Sequence, residues 1–134
     1  MNELIKKIHN LKPDTVFVGG VSEMVQGKRN TTRDIDICVT NLDGLESLGN
    51  IKKWVTDSKT SISGNRAGIE DQKYIIDIFV EDNLPDYIEI DGIKYQTIDS
   101  LINEYERVIR DMYSTNRVSS INKMKHKLHN LKLK

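Results

Sequence analysis

Thr15-Val16-Phe17-Val18-Gly19-Gly20, followed after thirteen residues (21–33) by Asp34-Ile35-Asp36-Ile37-Cys38-Val39, is the stretch that decides the fold. The β-branched and aromatic residues 15–18 predict a buried strand, which the two glycines end sharply. The second segment alternates strictly, so it predicts a strand with both aspartates on one face. We expect a short helix over Val21–Gln26 and a polar loop over Lys28–Arg33 between the two strands.

The two aspartates of the second strand point to a cation. Their Cβ atoms should lie about 7 Å apart, and two carboxylates held that close repel each other unless a cation lies between them. Oxygen ligands at this spacing suit Mg²⁺, so Asp34 and Asp36 are candidate metal ligands. The alternative is an ordinary exposed strand face.

A third aspartate, Asp77, interrupts the run Tyr74–Val80, which otherwise predicts a buried strand. An uncompensated carboxylate inside such a strand is costly. Either a metal ion compensates it, or a salt bridge to Arg33 or Arg66 does.

The glycine pair, Gly19-Gly20, lies between a predicted strand and a predicted helix. Such a junction presents bare backbone N–H groups at the positive end of a helix, where a phosphate binds readily. The alternative is a tight strand-to-helix turn without a ligand.

In combination these residues resemble the DNA polymerase β-like nucleotidyltransferase superfamily, and especially its small bacterial and phage members. The matching pattern is an apolar residue, Gly, Gly or Ser, a spacer of 9–13 residues, and Asp-x-Asp between apolar residues, with a third Asp on a later strand. The resemblance covers roughly residues 16–80. It implies an α+β nucleotidyltransferase fold, a mixed β-sheet flanked by helices, with a catalytic core at about 13–82.

The resemblance also implies an enzyme that moves a nucleoside monophosphate from a nucleoside triphosphate, such as ATP, to a hydroxyl group. Asp34 and Asp36 would bind two Mg²⁺ ions, for which Mn²⁺ could substitute. Asp77 would bind only the catalytic ion and would help to deprotonate the acceptor hydroxyl.

The phosphates would be held by Gly19, Gly20 and Ser22, and the basic loop residues Arg29 and Arg33 would neutralise their charge. Many active relatives carry Ser where this chain has Gly20, so here only backbone groups and the offset Ser22 remain. For Ser22, the alternative is a serine at the start of a helix whose hydroxyl satisfies the helix's own backbone. For the basic residues, the alternative is a solvated loop.

The C-terminal segment carries the chain's charge asymmetry, because residues 117–134 hold six Lys or Arg and no acid. We expect a helix from Thr97 to about Tyr113 and a second from Ser119 or Ser120 to Leu131. On the last helix Lys123 and Lys127 lie away from the apolar stripe and would meet the triphosphate or an RNA backbone. The alternative is a charged solvent face. The apolar stripe comprises Ile121, Met124, Leu128 and Leu131.

The remaining pattern predicts a helix over Glu3–Leu11, a helix over Leu42–Val55 and a weak strand over 61–70. Tyr87–Ile90 and Ile93–Gln96 flank Asp91-Gly92, which is typical of a hairpin with a type I′ turn. We expect strands near 15–18, 34–39 and 74–80 to be neighbours in a sheet covered by helices mainly on one face.

Length and composition limit the classes of protein to which this chain can belong. A chain of 134 residues predicts a single domain, 1–134, whose helical C-terminal part covers 97–132. With 20 basic and 20 acidic residues, the net charge of zero disfavours a globally basic nucleic-acid binder and an acidic disordered chain. One cysteine excludes an internal disulfide and a multi-cysteine zinc site. The short apolar runs predict no membrane span, and we expect a cytoplasmic protein.

A chain of this length predicts a compact acceptor: a small molecule, a protein side chain or an RNA end. Small relatives often act with a partner protein or as homo-oligomers, so either is expected here. One alternative is an inactive nucleotidyltransferase-fold module that binds nucleotide or RNA. Another is a glycosyltransferase with an Asp-x-Asp motif, which is disfavoured because that fold places a nucleotide-binding half before the motif, and here the motif begins at Asp34.

Overall fold

The computed structural model describes residues 1–32, 34–55, 65–70, 74–114 and 118–133. For 52–55, 65, 66, 70, 114 and 118–120 the description covers the backbone alone. The helices are α1 (Asn2–Leu11), α2 (Gly19–Val25), α3 (Ile98–Ser114) and α4 (Val118–Lys132), with a 3₁₀ turn at Glu46–Leu48. The strands are β1 (Val16–Val18), β2 (Asp34–Val39), β3 (Lys52–Val55), β4 (Asn65–Glu70), β5 (Ile75–Val80), β6 (Tyr87–Ile90) and β7 (Ile93–Gln96).

The strands form one mixed seven-stranded sheet in the order β3-β4-β5-β2-β1-β7-β6. In its centre β2 pairs antiparallel with β1 and parallel with β5. The predicted adjacency of these three strands is therefore confirmed, as is the mixed α+β class. No helix in the described part of the chain has the length and apolar character needed to cross a membrane.

One face of the central strands is the apolar core. Ile35 and Ile37 of β2 and Ile76 and Ile78 of β5 occupy alternate positions of their strands and have at most 1% exposure. They pack in one cluster with α1, whose Ile5 and Ile8 stand at helical spacing. Burial of these side chains fixes the register of β2 and β5, because a one-residue slip would turn them to the opposite face.

The opposite face of the same strands carries a smaller cluster. Val16, Val18 and Cys38 are buried there, with Phe79 packed against them. Because alternate residues share a face, Asp36 and Asp77 lie on this side of the sheet. The helices α3 and α4 approach it across a cavity described below, so helices lie on both faces, and the expectation that they lie mainly on one was wrong.

The two C-terminal helices pack against each other along the predicted apolar stripe. Ile109 and Met112 of α3 form a cluster with Ile121 of α4, which Met124 and Leu128 complete. Elsewhere along the pair, Lys132 Nζ lies 3.2 Å from Glu106 Oε1, and Lys125 Nζ lies 4.9 Å from the centre of the Tyr113 ring. These pairings run in opposite directions along the chain, so α3 and α4 are antiparallel.

The helix predicted over Leu42–Val55 is wrong. The structure has a 3₁₀ turn at Glu46–Leu48, and residues 52–55 form β3, which pairs antiparallel with β4. Gly49 has φ +149°, which no helix tolerates, so the chain leaves the turn there and becomes an edge strand. The hairpin prediction is confirmed, since Asp91 and Gly92 have φ values of 53° and 80°, as a type I′ turn requires.

Candidate functional site

Asp36 and Asp77 are direct partners in the parallel pairing of β2 with β5. Neighbouring strands lie about 4.8 Å apart, so these two carboxylates start from adjacent backbone positions on the same face. Asp77 is only 8% exposed, and Asp36 is half-buried. Residues far apart in the sequence thus place two acids side by side.

Gly19 lies against this acid pair. It begins α2 with φ +58°, a conformation that favours glycine, and a Cβ built there would lie 2.6 Å from Asp36 Oδ2. Position 19 therefore has to be glycine for the carboxylate of Asp36 to approach the start of α2. This contact joins two of the predicted site elements.

Gly20 is covered by the loop that precedes β2. A Cβ at this position would lie 2.6 Å from Thr32 Oγ1 and would also collide with the guanidinium of Arg29. A serine at this position does not fit unless this loop moves. Arg29 in turn lies 3.6 Å from Glu23 Oε2, so the loop is tied to α2 by an ion pair.

A cavity of about 350 Å³ opens between the sheet and the C-terminal helices. Its sheet side consists of Val18, Gly19, Asp36 and Phe79. Helix α3 contributes residues at helical spacing from Leu101 to Met112, and α4 contributes Lys123, Met124 and Lys127. Both predicted lysines therefore line the same cavity as Gly19 and Asp36. A volume of this size accommodates a small-molecule ligand.

Lys123 and Lys127 line this cavity from α4 and form what we call its cationic end, and the charge of Arg29 acts on Lys127 from outside the lining. Burial lowers the pKa of Lys127, as do the charges of Arg29 and Lys123, whereas the carboxylates Glu23 and Asp36 act in the opposite direction. Burial likewise raises the pKa of Glu23, against the effect of Arg29 and Lys127. A half-buried ammonium group beside two further cations favours an anionic ligand.

A second charged group, Glu104, lines the cavity from α3. Burial raises the pKa of its carboxyl, and a hydrogen bond from the Gln96 side chain and the charge of Arg107 act against that. The backbone carbonyl of Gln96 accepts bonds from Ser22 Oγ at 2.5 Å and Gln26 Nε2 at 2.8 Å, so this residue joins β7 to α2 and α3. We call Glu104, held by Gln96, the acidic end.

The structure separates other predicted site residues from this group. Asp34 is exposed at the start of β2, on the same face as Asp36. Ser22 is fully buried and donates to Gln96, so its observed role is to join α2 to β7. Arg33 lies outside the described residues, as does the side chain of Arg66. Among the described residues, no three His, Cys, Asp or Glu side chains are gathered closely enough to hold a metal ion.

A second cavity, of about 480 Å³, lies between the start of α1 and the loop before β2. Met1, Asn30, Thr31 and Tyr74 are among its lining residues. It contains none of the described candidate site residues, whereas Asp36 of the acid pair lines the other cavity.

Sequence reasoning missed Glu23, Glu104 and Tyr105. Tyr105 Oη donates to Glu23 Oε2 at 3.5 Å and lines the cavity beside Glu104. A signal for Glu104 was present, because it lies three residues after the buried Leu101 and four before Val108, on the apolar stripe of α3. An acid on an apolar stripe is unusual enough to mark a site. Glu23 had no comparable signal, since α2 is too short to define a polar face.

Comparison with other proteins adds no identification. No family model matches this chain, and no curated protein matches it with significance.

Proposed function

We propose that this chain is a Mg²⁺-dependent nucleotidyltransferase that moves a nucleoside monophosphate from a nucleoside triphosphate to a hydroxyl group. The observation that carries the proposal is the direct pairing of Asp36 with Asp77, together with a cavity that Asp36, Lys123 and Lys127 line. Such a site combines oxygen ligands for a cation with ammonium groups for an anion. Phosphoryl transfer needs both, because catalysis there is mainly positioning and charge stabilisation.

The acid pair fits Mg²⁺. Asp36 and Asp77 supply hard oxygen ligands from adjacent strand positions, and Gly19 leaves room for Asp36 Oδ2 at the start of α2. In the proposal Asp34 contributes a third carboxylate from the same face of β2. Bound Mg²⁺, for which Mn²⁺ can substitute, would lower the pKa of an acceptor hydroxyl and neutralise phosphate charge.

The chain's own residues have three tasks in this reaction. The lysines Lys123 and Lys127, with Arg29 and Arg33, hold the triphosphate, and the backbone N–H groups of Gly19 and Gly20 add hydrogen bonds to its oxygens. Asp77 accepts the proton of the acceptor hydroxyl, which attacks the α-phosphorus as the bond to pyrophosphate breaks. The helices α3 and α4 cover the cavity and limit the access of water.

The acceptor is a compact hydroxyl compound, a protein side chain or an RNA end. The described cavity is of small-molecule size, so a larger acceptor reaches it with one group while its remainder lies outside. A partner protein, or a second copy of the chain, would present such an acceptor.

A second candidate function is nucleotide or RNA binding by a nucleotidyltransferase-fold module without catalysis. One observation favours it: the described residues do not gather three carboxylates at the acid pair. In this case the cationic end binds phosphate and no bond is made or broken.

Label transfer tests the proposal. The chain is incubated with each α-labelled nucleoside triphosphate, Mg²⁺ and host lysate, and label is followed on protein, RNA and small molecules. We expect Mg²⁺-dependent transfer, and Asp36→Asn should sharply weaken Mg²⁺-enhanced nucleotide binding measured by calorimetry. Asp82→Asn, which removes an exposed charge beyond β5, is the matched control and should change neither. Binding without transfer supports the module; unchanged binding in the Asp36 variant contradicts the site.

A further inference from the structure

The cavity beside the acid pair has two chemically different ends. Helices α3 and α4 are antiparallel, with Lys125 beside Tyr113 and Lys132 beside Glu106, so Lys123 and Lys127 lie towards the C-terminal half of α3, whereas Glu104 lies in its N-terminal half. A ligand that fills the cavity therefore meets cations at one end and a carboxylate at the other.

Tyr105 connects the two ends. Burial raises the pKa of its hydroxyl, and the nearby carboxylates of Glu23, Asp36 and Glu104 raise it further. The side chain of Tyr105 thus lies near charged groups at both ends of the cavity. The ends belong to one continuous space, which a single elongated ligand can span.

The walls between the ends are apolar. Val18 and Phe79 face the cavity from the sheet, and Leu101 and Val108 face it from α3. A flat ring fits between such walls, because its faces need no hydrogen bonds while its edge requires polar partners. A nucleotide has this layout, with phosphates for the cationic end and a base for the remainder of the cavity.

The acidic end accepts hydrogen bonds and repels anions. A carboxylate offers about four acceptor positions, and the described residues supply Glu104 with one donor, the Gln96 side chain. An acceptor taken out of water without a donor is costly, so the group that fills this end must bring N–H groups.

Only one nucleobase edge suits this requirement. Guanine presents two adjacent donors, N1–H and the exocyclic amino group, which match both oxygens of a carboxylate. Adenine and cytosine each present one amino group next to a ring acceptor, which a carboxylate repels, and uracil presents one N–H between two carbonyls. We propose that Glu104 reads the Watson–Crick edge of guanine and makes GTP the preferred nucleotide of this site, an inference that rests on the proposed nucleotide-binding function.

Equilibrium binding with Mg²⁺ tests the specificity. Dissociation constants are measured by calorimetry for GTP, ITP, ATP, CTP and UTP. GTP should bind at least about tenfold more tightly than ATP, as expected for one good bidentate contact. ITP keeps the N1–H donor and lacks the amino group, so its affinity should lie between the two. This series uses the unaltered chain and does not depend on any variant folding.

Glu104→Gln then assigns the residue. It should reduce GTP affinity to the level of ATP and leave ATP affinity unchanged, because an amide places a donor against the donors of guanine. Glu106→Gln is the matched control, since it removes the same charge from the same helix outside the cavity lining, and it should keep the preference. Equal binding of all five nucleotides, or a GTP preference that survives in Glu104→Gln, overturns the inference and leaves the proposed function standing. If no nucleotide binds at all, the proposed function fails with it.

Discussion

The two faces of β2 and β5 are formed by alternating residues of the same strands, yet one face packs in the core and the other carries the candidate site. On one face Ile37 and Ile78 are fully buried against the rest of the core. On the other, Asp36 and Asp77 lie side by side, and Asp36 lines a cavity. Each acid immediately precedes one of these isoleucines in the sequence, so one backbone step separates core from site.

This alternation explains how a short chain can hold two adjacent acids on one face of its sheet. The packed face fixes strand register through apolar burial, and that register alone brings the two aspartates together. The open face can then carry charge without having to stabilise the sheet itself. Substitutions on the two faces should therefore have separable effects, one on stability and one on chemistry.

The packed face should show the largest effect. Ile78→Ala leaves a cavity in the core, and we expect it to lower the free energy of unfolding by about 2–5 kcal/mol, measured by urea denaturation. Ile75→Ala is the matched control, because the same side chain in the same strand is 46% exposed, and it should cost no more than about 0.5 kcal/mol. Similar losses in both variants would mean that the two positions are not packed as described.

The open face should show the opposite pattern. Asp77→Asn keeps the shape of the side chain, so the variant should fold and bind triphosphate within a few-fold of the unaltered chain. Transfer should nevertheless fall by at least about 10²-fold, the lower limit for a positioned general base. The assay is label transfer at saturating nucleotide, with Asp82→Asn as the control for removal of a charge. Near-normal transfer in the Asp77 variant would remove this residue from the mechanism.

Much of the fold could be predicted because its strands and helices carry strong local patterns. The alternation of Asp34–Val39, the apolar run before Val80 and the Asp91-Gly92 turn all appear as expected. The failure at Leu42–Val55 has a physical cause. Apolar residues there follow helical spacing, but the pairing of residues 52–55 with β4 is a long-range contact that overrides local propensity.

The site was predictable only in part for the same reason. Two aspartates two residues apart could be assigned to one strand face, whereas the pairing of Asp36 with Asp77 depends on sheet order. The place of Glu104 depends on how α3 lies over the sheet, which no local pattern encodes. Ser22 illustrates the converse, because its hydroxyl has a buried partner in a strand 74 residues away.

Helix α4 repeats the contrast between faces on a smaller scale. Lys123 and Lys127 line the cavity, whereas Lys125 and Lys132 lie on the other side of the apolar stripe and contact α3. Four lysines of one helix thus divide into a cavity-facing pair and a pair that contacts α3. The basic charge of the C-terminal segment is therefore not one uniform patch.

Replacing the cavity-facing lysines should have the smallest of the expected effects. Lys123→Gln with Lys127→Gln should raise the KM for nucleotide several-fold at low salt, because two cations are lost near the triphosphate. The difference should shrink as ionic strength rises and screens the interaction of the exposed Lys123. Stability should change little, since neither residue belongs to the apolar stripe.

Lys125→Gln with Lys132→Gln removes the same charge from the same helix and is the matched control. The ion pair of Lys132 with Glu106 is exposed, and the cation–π contact of Lys125 with Tyr113 lies at the surface. The double variant should therefore lose at most about 1–2 kcal/mol of stability. Its KM should stay unchanged, because neither side chain lines the cavity. Steady-state kinetics at two salt concentrations distinguish the pairs. Equal increases in KM would mean that α4 acts only through its total charge, and normal kinetics in both would assign all four lysines to a solvated helix surface.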